Sequence, residues 1–370
     1  MERTYIADIK NNLGKPVLVQ GFVENLRDSK YMAFIVLKDI SGKIQITVEK
    51  EKLPELCPVI ASLTQDSVIS VVGTAVENDF VKMGGVEIIP ESITAESIAD
   101  ALPIVRKEIP ATKKRPGVER SSIDQRIDYR WIDLRTDENQ LMFKVQTAMV
   151  NAMREFLIDR NFIEIHTPKL IGAASESGAE VFEVKYFDRL AYLAQSPQFY
   201  KQMMVGVFDR VFETAPVFRA EKHNTKRHLN EYTSLDFEMG YIDGFEDIMA
   251  METGFLQYTM ELLKKEYARE LQILNIEVPK TDNIPAVRFD EIKRLVSEKY
   301  DRKIKNPFDL EPEEETLISR YAKEEWDADF VFVTHYPSKK RPFYAMDDPA
   351  DPKFTLSFDL LFKGLEVTTG

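Results

Sequence analysis

Side chains capable of chemistry crowd one stretch of this chain, Phe218 to Met239, FRAEKHNTKRHLNEYTSLDFEM. A strand ending in Phe218-Arg219-Ala220-Glu221 runs into the polar loop KHNTKRHLNE. A second strand, YTSLDFEM, then alternates Tyr232, Ser234, Asp236 and Glu238 on one face. Arg219, Glu221, Asp236 and Glu238 can therefore point into one cleft, with Lys222, Lys226, Arg227 and His228 on the loop. An arginine on a rigid strand suits a phosphate, because its planar fork binds two oxygens at once. Cations on the loop suit the outer phosphates, which leave as pyrophosphate. The bland alternative for such charge density is an ion-pair lattice on a sheet surface.

Two kinds of element must position these groups. Residues 16 to 92 read as short strands: VLVQGFVENL alternates with period two, and AFIVLKD, the turn Asp39-Ile40-Ser41-Gly42 and KIQITVE make a hairpin. A short helix after Pro54 and the strands SVISVVGTAV and GVEIIPESI follow. Five strands with a helix between the third and fourth is the order of an OB-fold barrel, a fold that binds single-stranded nucleic acid. We expect an OB-fold over 1–102, a hinge with Pro103, Pro110 and Pro116 over 103–138, and a larger domain over 139–370. That domain opens with a helix from Gln140 to Asp159, where Leu141, Val145, Met149, Met153, Phe156 and Leu157 recur at helical spacing. Further helices are expected at Gln198–Met204, Phe245–Leu274, Phe289–Lys299 and Glu313–Ala328. Strands beside helices without strict alternation predict an α+β domain on an antiparallel sheet flanked by helices.

Composition narrows the classes. Hydrophobic residues make 44% and charged residues 30% of the 370, enough for a sizeable core. No apolar run approaches the ~20 residues that span a bilayer, and MERTYIADIKNNLGK lacks the apolar centre of a signal peptide. The single cysteine, Cys57, excludes intrachain disulfides and fits a reducing cytoplasm. Metal-ligand spacing of His and Cys is absent, which argues against zinc, and His166 and His335 read as structural residues on apolar strands. A net charge of −13 disfavours nucleic-acid binding by bulk electrostatics. A basic strip between Arg106 and Arg130 could still meet phosphates.

Phe218–Met239 resembles motif 2 of the class II aminoacyl-tRNA synthetases, and its form is similar to aspartyl-tRNA synthetases of archaeal and eukaryotic type. The likeness extends to FIEIHTPKL, which looks like motif 1 with its proline at Pro168, and to GAASESGAEVFEVKYF, YLAQSPQFYKQ, FYAMDDP and SFDLLFKGLEVTTG. It implies an aspartate–tRNA ligase that uses ATP and Mg²⁺. Arg219 would bind the α-phosphate and a carboxylate oxygen of L-aspartate, and Arg219, Glu221 and His228 would form the catalytic set. Ala220, Glu221, Arg227, His228, Leu229 and Glu366 would line ATP, with Tyr232 stacking on adenine. Glu176 would close over the substrate amino group. Gln198, Phe199, Tyr200 and Lys201 would form the amino-acid pocket, Lys201 pairing the side-chain carboxylate. Asp359 and Glu366 would hold Mg²⁺ with Thr369 beside them. In the barrel, Arg27, Phe34 and Gln45 would meet the anticodon of tRNA(Asp), with tRNA(Asn) a second candidate. The family also implies a homodimer through motif 1.

The sequence stops at Thr368-Thr369-Gly370, ahead of the family's motif 3 and of its aspartate-fixing arginine. The sequence reading therefore predicts a truncated chain, inactive in aspartate-dependent ATP–pyrophosphate exchange as it stands. Two rival readings are an asparaginyl-tRNA synthetase and a non-catalytic tRNA-binding paralogue. Against the first, the second strand keeps Asp236-Phe237-Glu238-Met239 and the pocket keeps Lys201; against the second, Arg219, Glu221, Asp359 and Glu366 occur together. Charging of tRNA(Asp) against tRNA(Asn) would turn on barrel loops near Glu24 and Lys82.

Overall fold

A computed structural model describes residues 1–111, 116–176, 181–220 and 229–370. The chain divides into two units, Met1–Thr136 and Asp137–Gly370.

The first unit is a closed barrel in the order β1-β2-β3-β5-β4, formed by β1 Pro16–Asp28, β2 Met32–Lys38, β3 Lys43–Glu49, β4 Val68–Glu77 and β5 Val86–Ser97. The short helix α1, Cys57–Ser62, falls between the third and fourth strands as the sequence order predicts. Alternation is strict where it matters: Ala33, Ile35 and Leu37 are buried while Phe34 and Val36 turn outward. Closure requires a bare backbone at one crossing, since a Cβ on Gly73 would lie 2.4 Å from the carbonyl oxygen of Ile89.

The proline-rich stretch after the barrel packs within this unit. Arg106 and Arg135 both reach Asp66, with Arg106 Nη2 at 2.9 Å and Arg135 Nη1 at 2.8 Å. The short helices α2, Ile123–Asp128, and α3, Arg130–Asp133, lie in the same stretch. Arg120, Arg126 and Arg130 surround the fully buried Asp133, so much of the basic strip is spent on one carboxylate. Lys113, Lys114 and Arg115 lie outside the described residues.

In the second unit, α4 Asp137–Ile158 precedes β6 Ile163–Glu164, β7 Leu170–Ile171, β8 Glu183–Tyr186 and β9 Arg189–Leu193. Then come α5 Gln198–Phe208, β10 Arg210–Phe218, β11 Glu231–Met239, α6 Glu246–Glu266 and α7 Ala268–Leu274. Last are β12 Ala286–Arg288, α8 Phe289–Tyr300, α9 Pro312–Trp326, β13 Phe330–Thr334, β14 Phe358–Phe362 and β15 Leu365–Thr369. Three sheets result, β11-β10-β6, β12-β13-β14-β15 and β7-β9-β8. Pairing is antiparallel except where β6 joins β10 and β12 joins β13.

Two local expectations are corrected. The single helix expected from Phe245 to Leu274 breaks at Tyr267, whose backbone (φ −116°, ψ 21°) leaves the helical region. His166 is exposed and lies past the end of β6, because the chain there turns to bond Glu213. His335 does behave as a structural residue: its Nδ1 lies 2.9 Å from Thr334 Oγ1 and its ring meets Phe245 edge-on.

Lys363 (φ 48°) and Gly364 (φ 84°) form a two-residue connection with both residues left-handed, the kind that matches strand twist. Phe362 then faces Leu365 and Leu361 faces Glu366, but Leu360 faces Thr368, so Val367 is an extra residue on β15. This bulge shifts the register by one and puts Thr369, rather than Thr368, opposite Asp359. Glu366 and Thr369 thus share a face with Asp359, while Thr368 turns to the opposite face, which packs on α6.

On that opposite face the Thr368 hydroxyl reaches Glu252 of α6, a carboxyl only 5% exposed whose Oε2 has no partner among the described residues. Burial pushes its pKa from 4.5 up to about 7. Because the folded-state value is raised, the stability tied to this group is complete below pH 4.5 and is lost as pH rises through 7. Glu252→Gln should therefore leave stability near pH 4.5 little changed and raise it by on the order of 1–3 kcal/mol at pH 8. Urea unfolding at the two pH values checks this; an equal effect at both would rule it out.

Candidate functional site

β10 and β11 pair over their full length, with Val211 opposite Glu238, Glu213 opposite Asp236, and Val217 opposite Tyr232. Opposed residues in an antiparallel pair share a face, so Glu213 and Asp236 project together. Glu213 is buried and engaged: it accepts from Thr167 N at 2.6 Å, Thr167 Oγ1 at 2.8 Å and Lys169 Nζ at 2.9 Å. These bonds tie the chain on both sides of Pro168 to the central strand.

Asp236 is met by Lys201, which projects from the first turn of α5. Lys201 Nζ lies 2.8 Å from Asp236 Oδ1 and 3.3 Å from Glu238 Oε2. Burial works against its charge, but the two carboxylates outweigh it and hold the ammonium above its ordinary value. Before any ligand enters, Lys201 is thus a fixed cation within an acidic pair. Gln198, at the start of α5, is buried, and its N–H donates to Ser196 Oγ at 3.2 Å. Tyr200 is half-buried, and Phe199 is exposed and stacked on Phe343.

Arg219 follows β10 directly, with its backbone N–H on the Asn230 carbonyl at 3.0 Å. Its Nε is buried with no hydrogen-bond partner among the described residues. A guanidinium donor withdrawn from water calls for an acceptor, and the described residues supply none at Nε. Ala220 and Tyr232 are half-buried beside it and Leu229 is exposed. Glu221, Arg227 and His228 lie outside the described residues.

Glu176 is held at both carboxylate oxygens. Ser196 Oγ donates to Oε1 at 2.5 Å and Tyr344 Oη to Oε2 at 2.5 Å, while the Glu176 N–H donates to Gln195 Oε1 at 3.1 Å. Burial and the bond to Glu176 raise the Tyr344 hydroxyl above its ordinary value, with Arg219 opposing and Asp236 adding to the shift. Those electrostatic effects put Tyr344 in range of both groups, so Glu176, Tyr344, Arg219, Asp236 and Lys201 form one cluster.

A second cluster sits on the β14–β15 hairpin. Thr369 Oγ1 lies 2.7 Å from Asp359 Oδ1 and 2.8 Å from Glu366 Oε1. Arg341 Nη2 lies 2.8 Å from Asp359 Oδ2, and its guanidinium carbon is 3.8 Å from the Tyr336 ring centroid. Glu366 is exposed, yet partial desolvation of its carboxyl among the neighbouring groups and repulsion by Asp359 push its pKa up to about 7. Two carboxylates sharing a hydroxyl form a hard-oxygen donor set that a small divalent cation would fit, relieving that repulsion. Among the described residues no group of three or more His, Cys, Asp and Glu side chains forms a metal cage. A cation here would need oxygens from a ligand as well.

These geometries meet the following likenesses. Residues 122–370 match the family described as tRNA synthetases class II (D, K and N), and residues 17–95 match the OB-fold nucleic acid binding domain. The chain belongs to the class II aminoacyl-tRNA synthetases. This synthetase is 38% identical to the aspartate–tRNA(Asp/Asn) ligase of Aeropyrum pernix, over 99% of its own length and 82% of the relative's. It is 38% identical to the aspartate–tRNA(Asp) ligase of Thermococcus kodakarensis, over 100% of its own length and 83% of the relative's. The asparaginyl-tRNA synthetase of Pyrococcus horikoshii, solved with asparaginyl-adenylate, superposes with a TM-score of 0.87 at 27% identity, covering 98% of this chain and 81% of that one.

In the barrel of the synthetase, Arg27, Phe34 and Gln45 share the outer surface of adjacent strands. Arg27 faces Phe34 across β1 and β2, with its guanidinium carbon 6.0 Å from the ring centroid. Gln45 Nε2 donates to Thr47 Oγ1 at 3.0 Å and to the buried Glu87 at 3.1 Å. Sequence reading missed Ser196, Tyr344 and Arg341. They stand in loops with no periodicity to mark them, and only their contacts single them out.

Proposed function

We propose that this synthetase activates L-aspartate with ATP and transfers it to tRNA(Asp), with tRNA(Asn) a second acceptor. The observation that carries the reading is the buried Nε of Arg219, without a partner among the described residues, in one cluster with the fixed Lys201 ammonium. Two cationic groups within one cluster suit a ligand that brings a phosphate and a carboxylate together. The sequence likeness to aspartate ligases supports aspartate over asparagine, and so does a charged rather than neutral residue at Lys201.

The chemistry needs no general base, because the aspartate carboxylate is already ionised at neutral pH. Its oxygen attacks the α-phosphorus in line, a new P–O bond forms, and pyrophosphate leaves with the electron pair of the broken bond. Arg219 holds the attacking carboxylate and the α-phosphate in one fork, which converts a bimolecular encounter into an oriented one. Asp236 and Glu176 offer acceptors to the substrate ammonium, and Lys201 opposes the side-chain carboxylate. Asp359 and Glu366, with Thr369, would hold Mg²⁺, which supplies positive charge to the phosphate oxygens. The terminal ribose hydroxyl of tRNA then displaces AMP from the mixed anhydride. Glu221, Arg227, His228 and Leu229 keep their expected place around ATP in this reading.

A second copy of the chain would pair through the surface near Pro168, where Ile158, Ile163 and Leu170 are exposed. None of the described helices is long and apolar enough to cross a membrane, and the cytoplasm, where aminoacylation serves translation, is the expected location.

ATP–pyrophosphate exchange by the full-length protein with L-aspartate and L-asparagine tests the reading, followed by charging of purified tRNA(Asp) and tRNA(Asn). Exchange driven by asparagine and not by aspartate would replace it with the asparaginyl alternative. Phe34→Ala should lower charging of tRNA by roughly 5–100-fold in kcat/KM, the worth of one stacked base. Exchange, which uses no tRNA, should be unchanged; an equal loss in both assays would remove Phe34 from anticodon binding.

A further inference from the structure

We infer that Tyr344 is a positioning residue for the amino-acid subsite: its hydroxyl fixes the Glu176 carboxylate so that one face of it stays open to the substrate ammonium. The inference rests on the proposed role of Glu176 and extends it to a residue in a different part of the chain.

Glu176 needs such a device. It lies between β7 and β8, in neither a helix nor a strand, so no regular backbone ladder sets its direction. Its side chain is oriented by two hydroxyls, Ser196 on Oε1 and Tyr344 on Oε2, each at 2.5 Å. An ionised carboxylate has about four acceptor positions, so two donors leave room for an ammonium. Hydroxyl donors orient the charge without cancelling it, whereas a lysine or arginine in either place would compete with the substrate. Ser196 is itself constrained, because its Oγ accepts from Gln198 N and its N–H meets Ser175 Oγ at 3.2 Å.

Tyr344 is equally well anchored. The segment bearing it is closed at its base, where the Leu356 N–H donates to the Met346 carbonyl at 2.8 Å and Ser338 Oγ to Asp347 at 2.5 Å. Phe343 next to it stacks on Phe199 of α5 at 6.2 Å between ring centroids. Arg341, at the start of the same segment, sits on Asp359. One short strap therefore reaches the amino-acid cluster with Tyr344 and the hairpin carboxylates with Arg341. The phenol has no other hydrogen-bond partner among the described residues, and its orientation is set by Glu176.

The test is steady-state ATP–pyrophosphate exchange by the full-length protein. Tyr344→Phe keeps the ring and its packing and removes only the hydroxyl. It should raise KM for L-aspartate roughly 10–150-fold, the worth of a hydrogen bond to a charged group. KM for ATP should be unchanged. Inhibition by succinate, which has both carboxylates of aspartate and no ammonium, should also be unchanged. Glu176→Gln is measured alongside, and in that background Tyr344→Phe should have little further effect. If Glu176→Gln raises the aspartate KM and Tyr344→Phe does not, the positioning role falls while the reading of Glu176 stands. If Glu176→Gln leaves the aspartate KM untouched, the reading of Glu176 falls and this inference with it. A rise in succinate Ki equal to the rise in aspartate KM would mean a general disturbance of the pocket and would overturn the assignment.

Discussion

Arg219→Ala in the full-length protein is expected to lower aspartate-dependent ATP–pyrophosphate exchange by on the order of 10²–10³-fold, with little change in the unfolding midpoint. The asymmetry follows from what Arg219 contacts. In the free protein its Nε is buried without a partner among the described residues, so the side chain contributes little to the fold. In the proposed function its interactions are made with ligand, where two parallel N–H donors would hold groups that must approach each other. Arg219→Lys keeps a charge but loses the fork, and should recover only a small part of the loss. Comparing exchange rates with thermal midpoints for the two variants checks the claim. A large fall in midpoint with near-normal exchange would show that the arginine is structural.

Lys293→Met should have the largest effect on stability, about 3–5 kcal/mol, because it strips a buried carboxylate of its nearest cation and leaves it Arg302 Nε at 3.8 Å. Lys293 and Glu314 have side-chain exposures of 3% and 4%, and their charges lie 3.0 Å apart. The same ammonium donates to the carbonyls of Asn306 at 2.6 Å and Asp309 at 2.7 Å, so three acceptors lose their donor at once. Removing Glu314 as well, in Lys293→Met with Glu314→Leu, relieves the stranded charge but restores only part of the stability. Glu314 also accepts from the Glu311 N–H at 2.9 Å in the capping box of α9, and that cap is lost with it. Urea unfolding of both variants measures the two contributions. A single variant losing less than about 1 kcal/mol would mean that water enters and solvates Glu314.

Much of this architecture is legible in the sequence because it rests on short-range rules. Period-two alternation marks the barrel strands, and the same alternation puts Asp236 and Glu238 on one face of the strand that follows the arginine-ended one. What was hidden depends on contacts distant in sequence. Val367 gives no sign that it is the extra residue of a bulge, since valine is an ordinary strand residue. The basic strip after the barrel reads as free charge, yet its arginines converge on Asp66 and Asp133, which are remote or unremarkable in the linear order. The Tyr344–Glu176 bond joins residues 168 positions apart. No local pattern can announce such a pair, although a tyrosine between prolines and acids in an irregular segment is the kind of residue that tertiary contacts recruit.

The Val367 bulge has a consequence for how much error the hairpin can absorb. Its neighbours Thr368 and Thr369 are chemically identical, and they serve opposite faces of β15. Were the bulge lost, Thr368 would rotate into the place of Thr369, and the carboxylate pair would still find a hydroxyl. The other face would present Val367 to Glu252, which would lose its hydroxyl partner. The two registers are thus nearly degenerate where substrate would be bound and distinguishable where it would not. Selection of the hairpin register falls to a buried glutamate on the far side of the sheet, and it is most stringent when that glutamate is ionised.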